Sequence, residues 1–361
     1  VSLRIDQVIP TLASRDAIGG HVVQLRDLLR SRGHQSDIYY GTATADRLDY
    51  GFPVNRLGDR SANNRVLLYQ LSIGSGVADI FRERPERKFV NYHNITPANL
   101  LEAWVPAVGE EVRWGRAQMR DLAAVTEFAI ADSVFNEDEL RVAGYRSTKT
   151  VPLLIDLDDF SGAPDPELTR VLNARKGRGG ADLLFVGKVS PHKGQHDLIK
   201  ALAAYRRLYD DQARLNLVGG AISDEYEQAI RKFAQELDLA DAVEIAGSVT
   251  HEELIAYYNA ADAFVCLSNH EGFCVPLLEA MHHRLPIVAY TNTAVPETVD
   301  GAGLVLPDKE PIRVAAAIDR VVKDDQLRAI LAGAAAERVT SFALPRVQEA
   351  FASALEAACV A

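Results

Sequence analysis

Apolar residues fall along this chain in short runs separated by amphipathic stretches. Ser2–Ile9 reads as a strand. A loop ending in Gly19-Gly20 follows, then the helical pattern HVVQLRDLLRSRG, a stop at Gly33 and a second strand at Asp37–Tyr40. Strand, glycine loop, helix and strand are the opening of an α/β unit with a parallel sheet. Apolar runs at Lys88–Tyr92, Phe128–Ala131 and Val151–Ile155 predict further strands, with a helical stretch at Asn136–Val142 between the last two.

The segment Asp156–Gly180, rich in Asp, Gly, Pro and Arg, interrupts this pattern and is the predicted domain boundary. The alternation then restarts. Strands are expected at Asp182–Gly187, Arg214–Val218, Val243–Ile245, Ala263–Leu267 and Pro286–Ala289. Helices are expected at His196–Tyr209, Asp224–Leu237, Glu252–Ala260 and Pro276–His283. Residues 312–361 read as largely helical, with a break near Phe342–Pro345. The pattern predicts an α/β fold of two Rossmann-like, doubly wound domains, 1–160 and 161–340, facing across a cleft. Residues 341–361 are expected to form a helix that crosses back to the first domain. A chain of 361 residues can carry two cores at roughly 150 residues each.

Composition narrows the function. The net charge is −11, of which −8 falls after residue 160, so nucleic acid is a poor partner and any phosphate in the second half needs a local cradle. Three cysteines without a CxxC pattern read as reduced thiols, neither a disulfide framework nor a zinc site. No signal-peptide pattern opens the chain and no apolar run approaches the ~20 residues of a membrane span, so a cytoplasmic protein is expected. Peripheral membrane contact stays open. Trp104 and Trp114, with Arg113, Arg116 and Arg120, offer either a membrane-facing or acceptor surface or a solvated basic helix face.

Three motifs carry candidate chemistry. Gly19-Gly20 lets backbone approach a ligand near a helix N-terminus, or serves only as a tight turn; it is not a G-x-G-x-x-G fingerprint. Gly187-Lys188 and Lys193-Gly194 place two ammonium groups after the first strand of the second half, where they suit a diphosphate or stand as solvated lysines. Glu271-Gly272-Phe273-Cys274-Val275-Pro276-Leu277-Leu278-Glu279 sets two carboxylates eight apart, around a loop that becomes a helix. A carboxylate accepts two hydroxyls bidentately, and the Gly272–Val275 amides suit phosphate or sugar oxygens.

With these motifs the chain resembles the retaining GT-B glycosyltransferases of family 4. Glu271 and Glu279 match that family's E-x7-E. Supporting matches are the Gly-Gly loop, YHNITP at Tyr92–Pro97, ADSVFN at Ala131–Asn136 and FVGKVSPHKG at Phe185–Gly194. GSVTHEELIAYYNAAD at Gly247–Asp262 and AVPETVDGAG at Ala294–Gly303 complete them. The resemblance implies that Lys188 and Lys193 neutralise the donor diphosphate and that Glu279 holds the ribose. Glu271 with the Gly272–Cys274 backbone would hold the donor sugar, and backbone near Ser248-Val249 would frame the base. His93 would reach the donor sugar near the reacting carbon, with Gly19 and Gly20 at the phosphate or acceptor. Lys188 stands where the family often has Arg, keeping the charge but not the fork geometry.

The reaction so implied is retaining transfer of a hexose from a nucleoside diphosphate sugar to an acceptor hydroxyl. The donor points first to GDP-mannose, then to UDP-glucose or UDP-N-acetylglucosamine; the acceptor is a glycan, a lipid-linked sugar or a small molecule. Acceptor contacts are expected around residues 42–65 and 97–118. No cofactor is expected, and no D-x-D stands at a strand end in the second domain, so no metal is expected either. His282 and His283 read as packing or surface residues. Two other classes share this architecture: a nucleotide-sugar epimerase, which needs no acceptor, and a non-catalytic nucleotide-sugar-binding subunit.

Overall fold

A computed structural model describes residues 2–14, 16–58 and 65–360; residues 59–64 of the expected acceptor stretch 42–65 lie outside the described residues. In chain order the elements are β1 (Arg4–Leu12), α1 (Ala17–Ser31), β2 (Ile38–Ala43), β3 (Phe52–Pro53), β4 (Arg65–Leu71), α2 (Gly76–Glu83), β5 (Arg87–Tyr92), α3 (Pro106–Ala123), β6 (Phe128–Ala131), α4 (Val134–Ala143) and β7 (Thr148–Thr150). They continue with α5 (Pro166–Lys176), β8 (Asp182–Val186), α6 (Gln195–Leu208), β9 (Arg214–Val218), α7 (Asp224–Glu236), β10 (Val243–Gly247), α8 (His251–Ala260) and β11 (Ala263–Cys266). Then come α9 (Val275–His282), β12 (Ile287–Tyr290), α10 (Val295–Val299), β13 (Leu304–Leu306), α11 (Pro311–Lys323), α12 (Asp325–Thr340) and α13 (Leu344–Val360). The chain divides into two compact units: one holds 1–99, 107–156 and 342–361, the other 100–106 and 157–341.

Each unit is a parallel sheet with helical crossovers. The strand order is β3-β2-β1-β4-β5-β6-β7 in the first and β10-β9-β8-β11-β12-β13 in the second. Parallel strands covered on both faces read as unbroken apolar runs, because no face is left for water. β4, RVLLYQL, is buried at every position. It is central in its sheet, pairing with β1 and β5. The periodicity did not single it out, since a short apolar run carrying Arg and Gln gives neither a strand nor a helix signature.

Local chemistry corrects three expectations. Gly19 and Gly20 lie inside α1, not in the loop before it: Asp16 is the N-cap and accepts from Ile18 N. Val151–Ile155 runs on from β7 as irregular chain: Val151 N still donates to Ala131 O of β6 at 2.9 Å and Leu154 N to His21 Nδ1 at 3.0 Å, and Val151, Leu153 and Leu154 are buried. The segment Asp156–Gly180 is not all linker. Asp165 caps α5 by accepting from Leu168 N, with Pro166 in the first turn, a strong start signal inside a polar sequence.

In the first unit, α13 closes one face of the core. Val347, Phe351 and Leu355 pack with Ile5, Leu25, Val66, Phe89 and Ile130. The second unit's core joins strands β8, β9 and β11 to α6 and α11 through Leu183, Phe185, Leu202, Leu215, Val265 and Ile318. Among the described residues no helix is long and apolar enough to cross a membrane. Phe351 is fully buried, so Phe351→Ala should destabilise the first unit by about 3–5 kcal/mol. Chemical denaturation followed by peptide-resolved hydrogen exchange checks this, with the loss confined to peptides of the first unit.

Candidate active site

In the second unit the chain leaves β8 toward β9 on one side of the sheet and leaves β11 toward β12 on the other. Open α/β sheets bind ligands where two neighbouring strands diverge in this way, beyond their carboxyl ends. The loop after β8 carries Lys188 and Lys193, and the loop after β11 carries Glu271. Gly194 sits between Lys193 and α6 with φ +70°, and a Cβ there would come within 2.5 Å of Leu267 O. Only glycine tolerates both demands. The two loops are joined directly, Asn269 N donating to His192 O at 2.6 Å.

Across that join the Lys193 ammonium donates to both oxygens of Glu271, at 2.8 and 2.7 Å. Glu271 is buried, and the Lys193 side chain is 20% exposed. Burial pulls the Lys193 ammonium down, but the facing carboxylate outweighs it and the net direction is upward. An ammonium has three donors, and the two bonds to Glu271 use two of them. Burial and the neighbouring Lys193, His270 and Lys188 hold His192 far below the usual imidazole range. It stays neutral, and the local positive charge comes from lysines. Lys188 is exposed, and its carbonyl accepts from Gln195 Nε2 at 3.0 Å, pinning the loop. Lys309 donates to Asn269 Oδ1 at 2.6 Å and pairs with Asp197. No local motif marks it.

The segment from Glu271 into α9 is held under strain. Cys274 occupies the helix N-cap position at φ +71°, a left-handed conformation costly for a residue with a Cβ. Two hydroxyls compensate: Glu271 N donates to Thr293 Oγ1 at 2.9 Å, and Thr298 Oγ1 donates to Phe273 O at 2.7 Å. The amides of Gly272, Phe273 and Val275 belong to this turn.

Glu279 lies on α9 and is 8% exposed. Tyr258 Oη, from α8, donates to Glu279 Oε2 at 2.6 Å. Burial pushes the Glu279 carboxyl up to about 7, against smaller lowering effects of Tyr258 and His251. The two carboxylates of the motif thus have different partners, Lys193 for one and a phenol for the other. Tyr258 also stacks on His283, ring centroids 5.0 Å apart and nearly parallel. The loops after β9 and β10 meet where a Cβ on Gly220 would stand 2.8 Å from Ser248 Oγ. Gly219 N donates to Gly247 O at 2.8 Å. Ser248 and Val249 follow directly, and Gly187 N is bound to Val218 O at 2.9 Å.

Gly19, Gly20 and His93 belong to the first unit. A Cβ on Gly19 would stand 2.2 Å from Ala13 O, whereas Gly20 has open space. The His93 ring is engaged at both nitrogens: Nδ1 bonds Asp132 Oδ2 at 2.9 Å and Nε2 bonds Gln70 Oε1 at 2.7 Å. Gln70 Nε2 donates to Gln7 Oε1 at 2.8 Å, and Asn91 Nδ2 lies 2.9 Å from His21 Nε2. Burial raises the Asp132 carboxyl, offset in part by His93, and lowers His21 well below its usual range. Gln7, Gln70 and Asn91 are single polar residues in apolar strands and His21 a lone histidine on an apolar helix face, so none of them carries a local signal. The same unit holds a cavity of about 490 Å³ whose lining mixes Thr11, Thr42, Ser75 and Glu111 with glycines and the apolar Pro10, Ile73, Val77 and Ile80.

The family model "Glycosyl transferases group 1" matches residues 173–338. Among curated proteins, the chain is 31% identical to the GDP-mannose-dependent alpha-(1-6)-phosphatidylinositol monomannoside mannosyltransferase of Mycobacterium tuberculosis, over 63% of this chain and 62% of that protein. It therefore spans less than two thirds of that relative's length. It is 28% identical to the D-inositol 3-phosphate glycosyltransferase of Acidothermus cellulolyticus, over 92% of this chain and 84% of that one. Among solved structures, Anabaena Alr3699/HepE in complex with UDP and glucose superposes with a TM-score of 0.76, at 17% identity, covering 98% of this chain and all of that one. Sucrose-phosphate synthase from Thermosynechococcus elongatus superposes with a TM-score of 0.76 at 19% identity, covering 98% of each chain. These likenesses show the fold, two Rossmann-like units of the GT-B type.

The Glu279 carboxyl sits above its ordinary value of 4.5. It therefore supports folding fully below that value and loses this contribution as pH rises through about 7. Glu279→Gln removes the titration. Relative to the unsubstituted protein, its stability should rise by about 2–3 kcal/mol between about pH 5 and pH 8. Urea denaturation of both proteins across that interval checks it; parallel curves would remove the raised carboxyl.

Proposed function

Because residues 173–338 form a glycosyl transferases group 1 domain on a GT-B fold, we propose that the protein is a retaining, metal-independent hexosyltransferase using a nucleoside diphosphate sugar. The observation that carries this reading is the Lys193–Glu271 pair at the β8/β11 divergence, with Glu279 of the same motif following on α9, bonded to Tyr258. An oxocarbenium-like transition state needs its departing diphosphate neutralised. Lys188 and the third N–H of Lys193 serve that charge, together with amides at the start of α9. Glu271, fixed by Lys193, accepts hydroxyls of the donor sugar, and the ionised form of Glu279 accepts both ribose hydroxyls. The backbone at Ser248-Val249 frames the base. The acceptor oxygen attacks the anomeric carbon on the face the diphosphate leaves, and its proton passes to the departing phosphate.

GDP-mannose is the preferred donor in this reading, supported by the name of the mycobacterial relative; UDP-glucose and UDP-N-acetylglucosamine are the other candidates. The first unit takes the acceptor. Its cavity sets the polar groups of Thr11, Thr42, Ser75 and Glu111, with Thr11 Oγ1 and Thr42 Oγ1 3.0 Å apart, among apolar walls from Ile73, Val77 and Ile80, which suits a polyol carried on an apolar chain. The inositol-bearing substrates named for two relatives support a polyol or lipid-linked polyol acceptor.

Thermal unfolding with GDP, UDP, ADP and their sugars, with and without chelator, tests the donor site. At a hundred times Kd one nucleotide should add about 2.7 kcal/mol of stability. The gain should be unchanged by chelator, smaller below about pH 7 where Glu279 is protonated, and absent in Glu279→Ala. No gain with any nucleotide would overturn the site.

A further inference from the structure

One chemical feature of the donor loop has no part in sugar transfer. Cys266, the last residue of β11, and Cys274, the strained residue before α9, are both buried, with their sulfurs 4.0 Å apart. That is far beyond a disulfide's ~2.05 Å. It is close to the separation of two thiolates sharing one tetrahedral ion, about 3.8 Å for two bonds of about 2.3 Å. A carboxylate oxygen of Glu271 completes the group, all three ligand atoms lying within 4.8 Å of one another.

We propose that Cys266, Cys274 and Glu271 form a binding site for one thiophilic divalent cation, of the Zn²⁺ or Cd²⁺ class, and that its occupation blocks the donor-sugar site. Charge balance favours it. Binding releases two thiol protons to solvent; two thiolates, one carboxylate and a divalent ion leave a charge of −1, which the adjacent Lys193 ammonium cancels. Two soft sulfurs select such ions over Mg²⁺ or Ca²⁺, which prefer all-oxygen shells. The ion occupies lone pairs of Glu271 that the sugar would use. This second half rests on the donor-site reading above; the first half does not.

The full-length protein, reduced and stripped with chelator, is titrated with Cd²⁺ while the ultraviolet thiolate-to-metal band is recorded. The band should saturate at one ion per chain. Cys266→Ser and Cys274→Ser should each weaken binding by more than about 100-fold, since even outer-shell changes cost about 10–100-fold. Cys359→Ser, which alters the third thiol in the first unit, should change nothing. Absence of a stoichiometric band in the unsubstituted protein overturns the site whatever the variants do, and so does a band that survives in Cys266→Ser. Calorimetry with the nucleotide sugar then compares Cd²⁺-loaded and metal-free protein. At least a tenfold loss of affinity on loading is expected, and equal affinities overturn the blockade. A metal-free protein that binds no nucleotide sugar at all would count against the donor reading and end the blockade with it, while the Cd²⁺ band still decides the ion site.

Discussion

A buried carboxylate is tolerable only if something nearby shares its charge, and the second unit is arranged around that requirement at Glu271. Left alone at 6% exposure, its ionised form would cost several kcal/mol in lost hydration. Lys193, 78 residues earlier, supplies both hydrogen bonds. Because the pair bridges the loops after β8 and β11, meeting the charge requirement also fixes where the two loops stand. Gly194 makes the close approach possible, Asn269 N ties the loops through His192 O, and Thr293 and Thr298 hold the turn that carries Glu271. The ionic contact and the placement of the two loops are one construction.

The same motif places a second buried carboxylate beside a different kind of partner. Glu279 has a phenol where Glu271 has an ammonium, and burial prevails, lifting it to about 7. Two acidic residues eight positions apart are thus given different surroundings by partners distant in sequence, Lys193 for one and Tyr258 for the other. A carboxylate poised near neutrality suits a ligand that brings its own hydroxyl donors, since accepting them restores the ionised form. The first unit uses ion pairing too, Arg65 facing the buried Asp6 and Glu86, and also passes hydrogen bonds among Gln7, Gln70, Asn91, His21, His93 and Asp132.

Much of this was legible in the chain. Alternating strands and helices gave the two-unit α/β fold, and the E-x7-E string with its two upstream lysines named the residues that the second unit brings to one end of its sheet. What the chain hid has physical causes. β4 was hidden because a strand buried on both faces has no alternation to read. Tyr258 and Lys309 were hidden because each acts through a partner distant in sequence, and a tyrosine on an apolar helix or a lysine in a loop looks ordinary. The start of α1 was displaced because Gly19 and Gly20 suggest a loop, whereas Asp16 caps a helix that includes them. The proximity of Cys266 to Cys274 needed the left-handed turn at Cys274, which sequence does not announce for a residue other than glycine.

The most direct measurement is turnover. Release of nucleoside diphosphate from GDP-mannose and UDP-glucose is followed in the presence of a polyol acceptor, with proton NMR of the product's anomeric coupling, for the unsubstituted protein and Lys193→Met. The account predicts turnover with one donor, a product that keeps the donor's anomeric configuration, and a fall in kcat of about 100-fold or more in Lys193→Met, the scale of losing one charge-stabilising group. Inverted product, or turnover that Lys193→Met leaves intact, would contradict it.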